Sequence, residues 1–243
     1  VHVSDAFAEN GLEMIGGVVF RAFHDPAQWD DVLDGSKRTC EALVAHGAQH
    51  LVLIDSISPR RAPTAGRALE AKQMDVAEWA AYVTRFREIC KMGVDHGLTV
   101  GIHAHAAGFM DFEPELERLL GEIPEDLLQI CFDTGHHSYA GFDPIAFMKK
   151  WISRISYLHF KDIDPKVKAD VIGKRTGFYD ACGQGIFCNL GDGDVDFSAA
   201  RQLLLDNEFQ GWCTVEQDCD PTLDVRPVDD ARLNRTYLQS IGF

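Results

Sequence analysis

The chain repeats one order of elements: a short apolar run, a polar turn, then a segment whose apolar residues recur at helical spacing. "GLEMIGGVVF" (Gly11 to Phe20) reads as a strand. In "WDDVLDGSKRTCEALVAHG", Val32, Cys40, Leu43 and Val44 fall on one helical face, and the segment stops at Gly47. "QHLVLID" is the next strand. Asp75 is placed to cap the long helix "VAEWAAYVTRFREICKMGVDHG", and "LTVGIH" follows as a third strand. Three more pairs complete the series: "EPELERLLGEI" before "LLQICFD", "DPIAFMKKWISR" before "ISYLHFKD", and "DFSAARQLLLDNEF" before "GWCTVEQD". The strands are apolar on both faces, as in a parallel sheet covered on both sides.

Strict alternation of this kind predicts a parallel α/β fold. Six strand–helix units are legible in residues 1–243, read as one domain, whereas a closed (β/α)8 TIM barrel has eight. The chain opens on "VHVSDAFAENG", which reads as the tail of a helix. The expectation is a TIM barrel whose first one or two units, on the order of 50 residues, precede this sequence. The rival, a doubly wound open sheet, calls for a Gly-rich phosphate turn after an early strand, and no GxGxxG occurs.

Apolar residues make up 46% of the chain, enough for a large core. The net charge of −15 argues against nucleic acid as a partner. No apolar run approaches the roughly 20 residues that span a bilayer. The seven cysteines form no CxxC pair and several sit in apolar runs, which predicts buried reduced thiols and a cytoplasmic location.

In a barrel, chemistry sits at the C-terminal ends of the strands. Those ends carry His103 and His105; Asp133, His136 and His137; His159, Lys161 and Asp162; Glu216 and Asp218. Four successive ends bearing imidazoles or carboxylates predict a mixed N/O site for a divalent metal, Mn²⁺ or Co²⁺ first, Zn²⁺ or Mg²⁺ as alternatives. Each residue also has a plainer reading. Asp133 could cap a turn, His159 could be a satisfied core histidine, and Glu216 could pair with an arginine. The glycine-rich stretch Phe178 to Phe197 reads as a long loop, and the span 165–194 as a cover over the strand ends.

Three stretches, "DTGHHSYAGFDP", "YLHFKDID" and "GFYDACGQGIFCNLGDGDVDF", resemble the sugar-isomerase-like TIM barrels, the superfamily of xylose isomerase, and within it the inosose dehydratase family. "IHAHAAG" and "GGVVFRAFHDP" are similar to that group's strands five and three. The resemblance implies metal ligation by Asp133, His159 and Glu216, with the fourth ligand, usually a strand-five glutamate, replaced by His103, His105 or Glu113. Here His103 is taken as that ligand. It also implies a substrate contact at His136, with Lys161 and Asp162 beside it.

The implied reaction is a metal-dependent dehydration of a cyclic polyhydroxy ketone, 2-keto-myo-inositol, with His103, His105, His136 and Lys161 as acid–base candidates. A sugar or ketose isomerase or epimerase on the same metal, β-elimination on an oxidised sugar, and a degenerate barrel serving as a binding subunit are the alternatives. The expected partner is a small carbohydrate or cyclitol ketone, with no nucleic acid and no membrane; a homo-oligomer is left open.

Overall fold

Six strands lie side by side in chain order in the computed structural model, which describes residues 3–220, 222 and 226–243. They are β1 (Gly16–Arg21), β2 (His50–Asp55), β3 (Thr99–Ile102), β4 (Gln129–Asp133), β5 (Ile155–Phe160) and β8 (Trp212–Val215). Between the last two come β6 (Asp162–Ile163) and β7 (Phe187–Cys188), a small antiparallel ribbon. Every pairing in the main sheet is parallel. Among the described residues the order never reverses, so they contain no topological switch point of a doubly wound sheet. The sheet curls into a half-barrel, an arc of a (β/α)8 barrel.

The helices are α1 (Val3–Asn10), α2 (Trp29–Ala45), α3 (Val76–Asp95), α4 (Glu113–Glu122), α5 (Thr134–Tyr139), α6 (Pro144–Trp151), α7 (Pro165–Lys174), α8 (Phe178–Gly183), α9 (Phe197–Asp206) and α10 (Pro227–Ser240). Their starts are written in the sequence. Asp75 forms a capping box with Glu78, and Asp143 and Asp164 each cap a helix whose first residue is proline. α3 buries Trp79, Tyr82, Val83, Phe86, Ile89, Cys90 and Gly93, one continuous stripe, and ends before Gly97, whose φ of 77° is the left-handed turn that glycine adopts freely.

Period-two alternation divides the strand residues between two faces. Leu51, Leu53, Ile130, Phe132, Leu158 and Phe160 join the main core beneath the helices. Val52, Ile54, Cys131 and Tyr157 form a separate small cluster, the lining of the concave face. β4 is buried on both faces, as expected for the middle of a parallel sheet. The outer strands differ: Val18 and Phe20 on β1, and Trp212 and Val215 on β8, are exposed.

Two expectations need correcting. The Phe178–Phe197 stretch is not an irregular loop, because it contains α8 and one strand of the β6–β7 ribbon. The "GDGDV" turn within it is wrapped around Asp162. The Asp162 carboxylate accepts hydrogen bonds from Gly191, Gly193 and Val195 backbone N–H groups, at 2.8, 3.0 and 3.1 Å, and from its neighbour Ile163. Fully buried and spent on that loop, Asp162 has no oxygen left for a substrate. All seven cysteines are free. Among the described residues no helix is long and apolar enough to cross a membrane.

Candidate metal centre

The concave face ends in a layer of polar side chains; on β4 and β5 it lies two residues beyond the apolar lining of Cys131 and Tyr157. Asp133 closes β4 and stands beside His159 of β5 in register. His103 and Glu216 each lie one residue past their strands. Their backbone N–H groups still bond to Leu53 O and Phe160 O, at 3.0 Å each, which fixes where both side chains start.

Ligand atoms of His103, Asp133, His159 and Glu216 all lie within 4.8 Å of one another. His159 Nδ1 is 3.0 Å from Glu216 Oε2. His103 Nε2 is 3.5 Å from Asp133 Oδ2 and 3.8 Å from Glu216 Oε2. Neither His103 Nε2 nor Asp133 Oδ2 has a hydrogen-bond partner, although both atoms are buried. Leaving such groups unpaired is costly. The donor set therefore fits a divalent cation, which would satisfy both atoms at once. Asp133 is both cap and candidate ligand: Oδ1 accepts from His136 N at 2.7 Å, opening α5, while Oδ2 stays free.

The charges in this layer lean on one another. Burial alone would push the His103 imidazole down, but Asp133 and Glu216 outweigh it and hold it up at about 9. Burial also opposes the Glu216 charge, yet His103, His159 and Lys161 keep that carboxyl well below the usual range. Asp133 is held down in the same way, chiefly by Lys161 and His103 against its burial. In the absence of metal, imidazolium and ammonium supply the positive charge that these carboxylates require.

Directly beyond lies a second group, His105, His136 and Asp218, also mutually within 4.8 Å. Here a cation of the protein is already in place. Lys161, 1% exposed, sets its Nζ 2.9 Å from His136 Nε2 and 3.1 Å from Asp218 Oδ2. The same Nζ is 3.1 Å from Glu216 and 3.5 Å from Asp133, so it links the two groups. Burial works against this charge, but Asp133, Glu216 and Asp218 outweigh it and raise the lysine above its ordinary range. The other ring nitrogen of His136 faces Ala106 N–H at 3.3 Å; a neutral imidazole has one lone pair, so it accepts from either Ala106 N–H or the Lys161 ammonium and keeps none unused. Burial, then Lys161 and its neighbouring histidines, push His136 well down. His105 donates through Nδ1 to Ala106 O at 2.8 Å, which leaves Nε2 as the free lone pair. Burial, His103 and Lys161 hold His105 at about 4.

His105 and Asp218 line a cavity of about 460 Å³, together with Phe20, Ile57, Phe178 and Tyr179. Phe20 and Phe178 lie 5.3 and 5.4 Å from the His105 ring, and Phe187 lies 5.1 Å from His136. The 165–194 span thus sends aromatic rings over the polar layer.

The structure brings His103, His105, Asp133, His136, His159, Lys161 and Glu216 together and leaves Asp162 out. Glu113 is also elsewhere: its Oε2 is 3.2 Å from His137 Nε2, out of line for a hydrogen bond. Sequence reasoning gave Asp218 no role, although it stands two residues after Glu216, as Lys161 stands two after His159. Thr134 and Phe20 were given no role, and Phe178 only that of an anchor for its own loop.

Residues 2–241 match the family model described as xylose isomerase-like TIM barrel. The chain belongs to that family. An inosose dehydratase of Clostridium botulinum is 29% identical over 162 residues, 67% of this chain and 54% of the relative. The chain spans about half the length of that relative. An inosose dehydratase of Geobacillus kaustophilus is 25% identical over 236 residues, 95% of this chain and 75% of the relative. Among solved structures, the IolI protein with a bound zinc atom superposes with a TM-score of 0.72 at 13% identity, over 99% of this chain and 81% of that one. At that identity the likeness within this xylose isomerase-like barrel family is one of fold.

Proposed function

We propose that this chain carries the metal-dependent site of a dehydratase acting on a cyclic polyhydroxy ketone, 2-keto-myo-inositol being the first substrate to test. The observation that carries the reading is the pairing of two unlike groups on the same strand ends. One is a four-residue donor set with unpartnered buried atoms, and the other is a set of polar side chains facing a cavity. The inosose dehydratase relatives and the zinc of IolI support it.

His103, Asp133, His159 and Glu216 would hold the cation. A divalent metal there supplies Lewis acidity that polarises a carbonyl and acidifies the proton beside it. The chain's own residues do the rest. His105, neutral at pH 7 with Nε2 unused, accepts the α-proton. Lys161 gives a proton to the departing β-hydroxyl; His136 and Asp218 hold the Lys161 Nζ in place, and Asp218, which lines the cavity, orients that hydroxyl. Phe20, Phe178 and Phe187 exclude water, which strengthens each of these charged contacts.

The test uses the full-length protein with Mn²⁺, Co²⁺ or Zn²⁺ and 2-keto-myo-inositol. Product lighter by one water is the expected result. A stereoisomer of unchanged mass would replace the lyase reading with an epimerase. No product from several inososes and ketohexoses would overturn the substrate class.

A further inference from the structure

The stretch "DTGHH" has two residues without an ionisable side chain, Thr134 and Gly135, and both lie against Lys161. The β4–β5 ladder ends at the Asp133–His159 pair, because the chain turns into α5 there. One side chain then takes over from the backbone. Thr134 Oγ1 donates to Lys161 O at 2.7 Å and accepts from Lys161 N at 3.0 Å. A single buried hydroxyl thus serves both main-chain groups of one residue 27 positions away. Beside it, the lysine stem lies across Gly135. A Cβ added there would be 2.5 Å from Lys161 Cγ, 2.8 Å from Cβ and 3.0 Å from Cδ. Lys161 Cβ is fixed by the backbone and cannot swing aside. At the far end the Nζ sits 4.9 Å from the centre of the Phe187 ring.

We propose that Thr134 and Gly135 are positioning residues for Lys161: the hydroxyl fixes its backbone and the bare Cα leaves the groove that its stem follows to the polar layer. A lysine side chain has four rotatable bonds and is ordinarily mobile. This one is held at its root, along its stem and at its tip, so its ammonium reaches His136, Glu216 and Asp218 together. The proposal rests on the dehydratase reading for what Lys161 does, and on the contacts alone for how it is held.

The experiment labels the full-length protein with ¹⁵N at lysine Nζ and assigns the Lys161 signal by its loss in Lys161→Gln. Thr134→Val keeps the shape and removes both hydrogen bonds; the Lys161 signal should shift or broaden. Thr134→Ser restores the hydroxyl and should restore the signal. Gly135→Ala leaves the Thr134 hydroxyl in place and pushes on the root and stem of Lys161, so it should also move the signal, and it serves if Thr134→Val does not fold. Turnover of 2-keto-myo-inositol should fall up to about 100-fold in Thr134→Val, the cost of a misplaced catalytic group. It should fall no further when Thr134→Val is added to Lys161→Gln. A Lys161 signal unchanged in both folded variants, or an equal loss of turnover from Thr134→Val with and without Lys161, would overturn the proposal. The spectrum needs no substrate, so a failed dehydratase assay sinks the functional reading and leaves this test standing.

Discussion

Two groups of polar side chains share the same four strand ends, and the difference on β5 separates them most sharply. His103, Asp133, His159 and Glu216 make the lower layer. Two or three residues further on, the same ends supply His105, His136, Lys161 and Asp218. Where the lower layer has a histidine on β5, the upper layer has a lysine. That exchange fills the upper group with a cation of the protein, while the lower group keeps unpartnered His103 and Asp133 atoms. The lesson is that closeness of His, Asp and Glu does not define a metal site. What sets the proposed metal site apart is buried donor atoms without a hydrogen-bond partner, and a buried ammonium suits the other group to handling protons and hydroxyls.

The comparison breaks first at Asp133. Asp133→Ala should lower metal affinity by well over ~100-fold, since losing a direct ligand exceeds the 10–100-fold typical of an outer partner. Elemental analysis of the purified variant checks it, and an unchanged stoichiometry would move the metal elsewhere. The next test is acidity. His103 is held at about 9, so below that pH a metal must displace its proton. Affinity for Zn²⁺ should therefore rise with pH between 6 and 8, by up to ~10-fold per unit for one displaced proton. A flat competition titration would remove His103 from the ligand set.

Asp218→Asn sharpens the contrast from the other side. Metal stoichiometry should stay unchanged, while KM for a ketone substrate rises about 10-fold, the value of one charged hydrogen bond. Loss of metal in that variant would merge the two groups into one site.

An effect on stability alone concerns His137, which neither group uses. Burial holds its imidazole at about 4, against about 6.5 in an unfolded chain. The unfolded chain takes up the proton first, so this residue makes stability fall as pH drops from about 6.5 to about 4. Buried Asp111, raised to about 7 by desolvation, acts with the opposite sign over nearly the same window. His137→Phe should therefore gain about 2 kcal/mol relative to the parent between pH 7.5 and 4.5. Chemical denaturation at both pH values reads this difference, and parallel curves would show that the imidazole is not buried neutral.

Local pattern was enough for the strand–helix order, the Asp75, Asp143 and Asp164 caps, and the two-faced burial of β4, because capping and periodicity act within a few residues. The same period of two placed His103, Asp133, His159 and Glu216 at one end of one face. Choosing among His103, His105 and Glu113 needed the tertiary structure, since strand parity says which way a side chain leaves and not which tips converge. The fate of Asp162 was also beyond local reading: only the return of the chain at Gly191, Gly193 and Val195 spends its carboxylate. So was the burial of Lys161, whose backbone and stem lie against a threonine and a glycine 27 and 26 positions earlier in the chain. The sequence by itself determined the elements and the residue types at their ends; the long-range contacts decided which of those residues keep an unpartnered buried atom, because hydrogen bonds between distant segments have no period for a sequence to display.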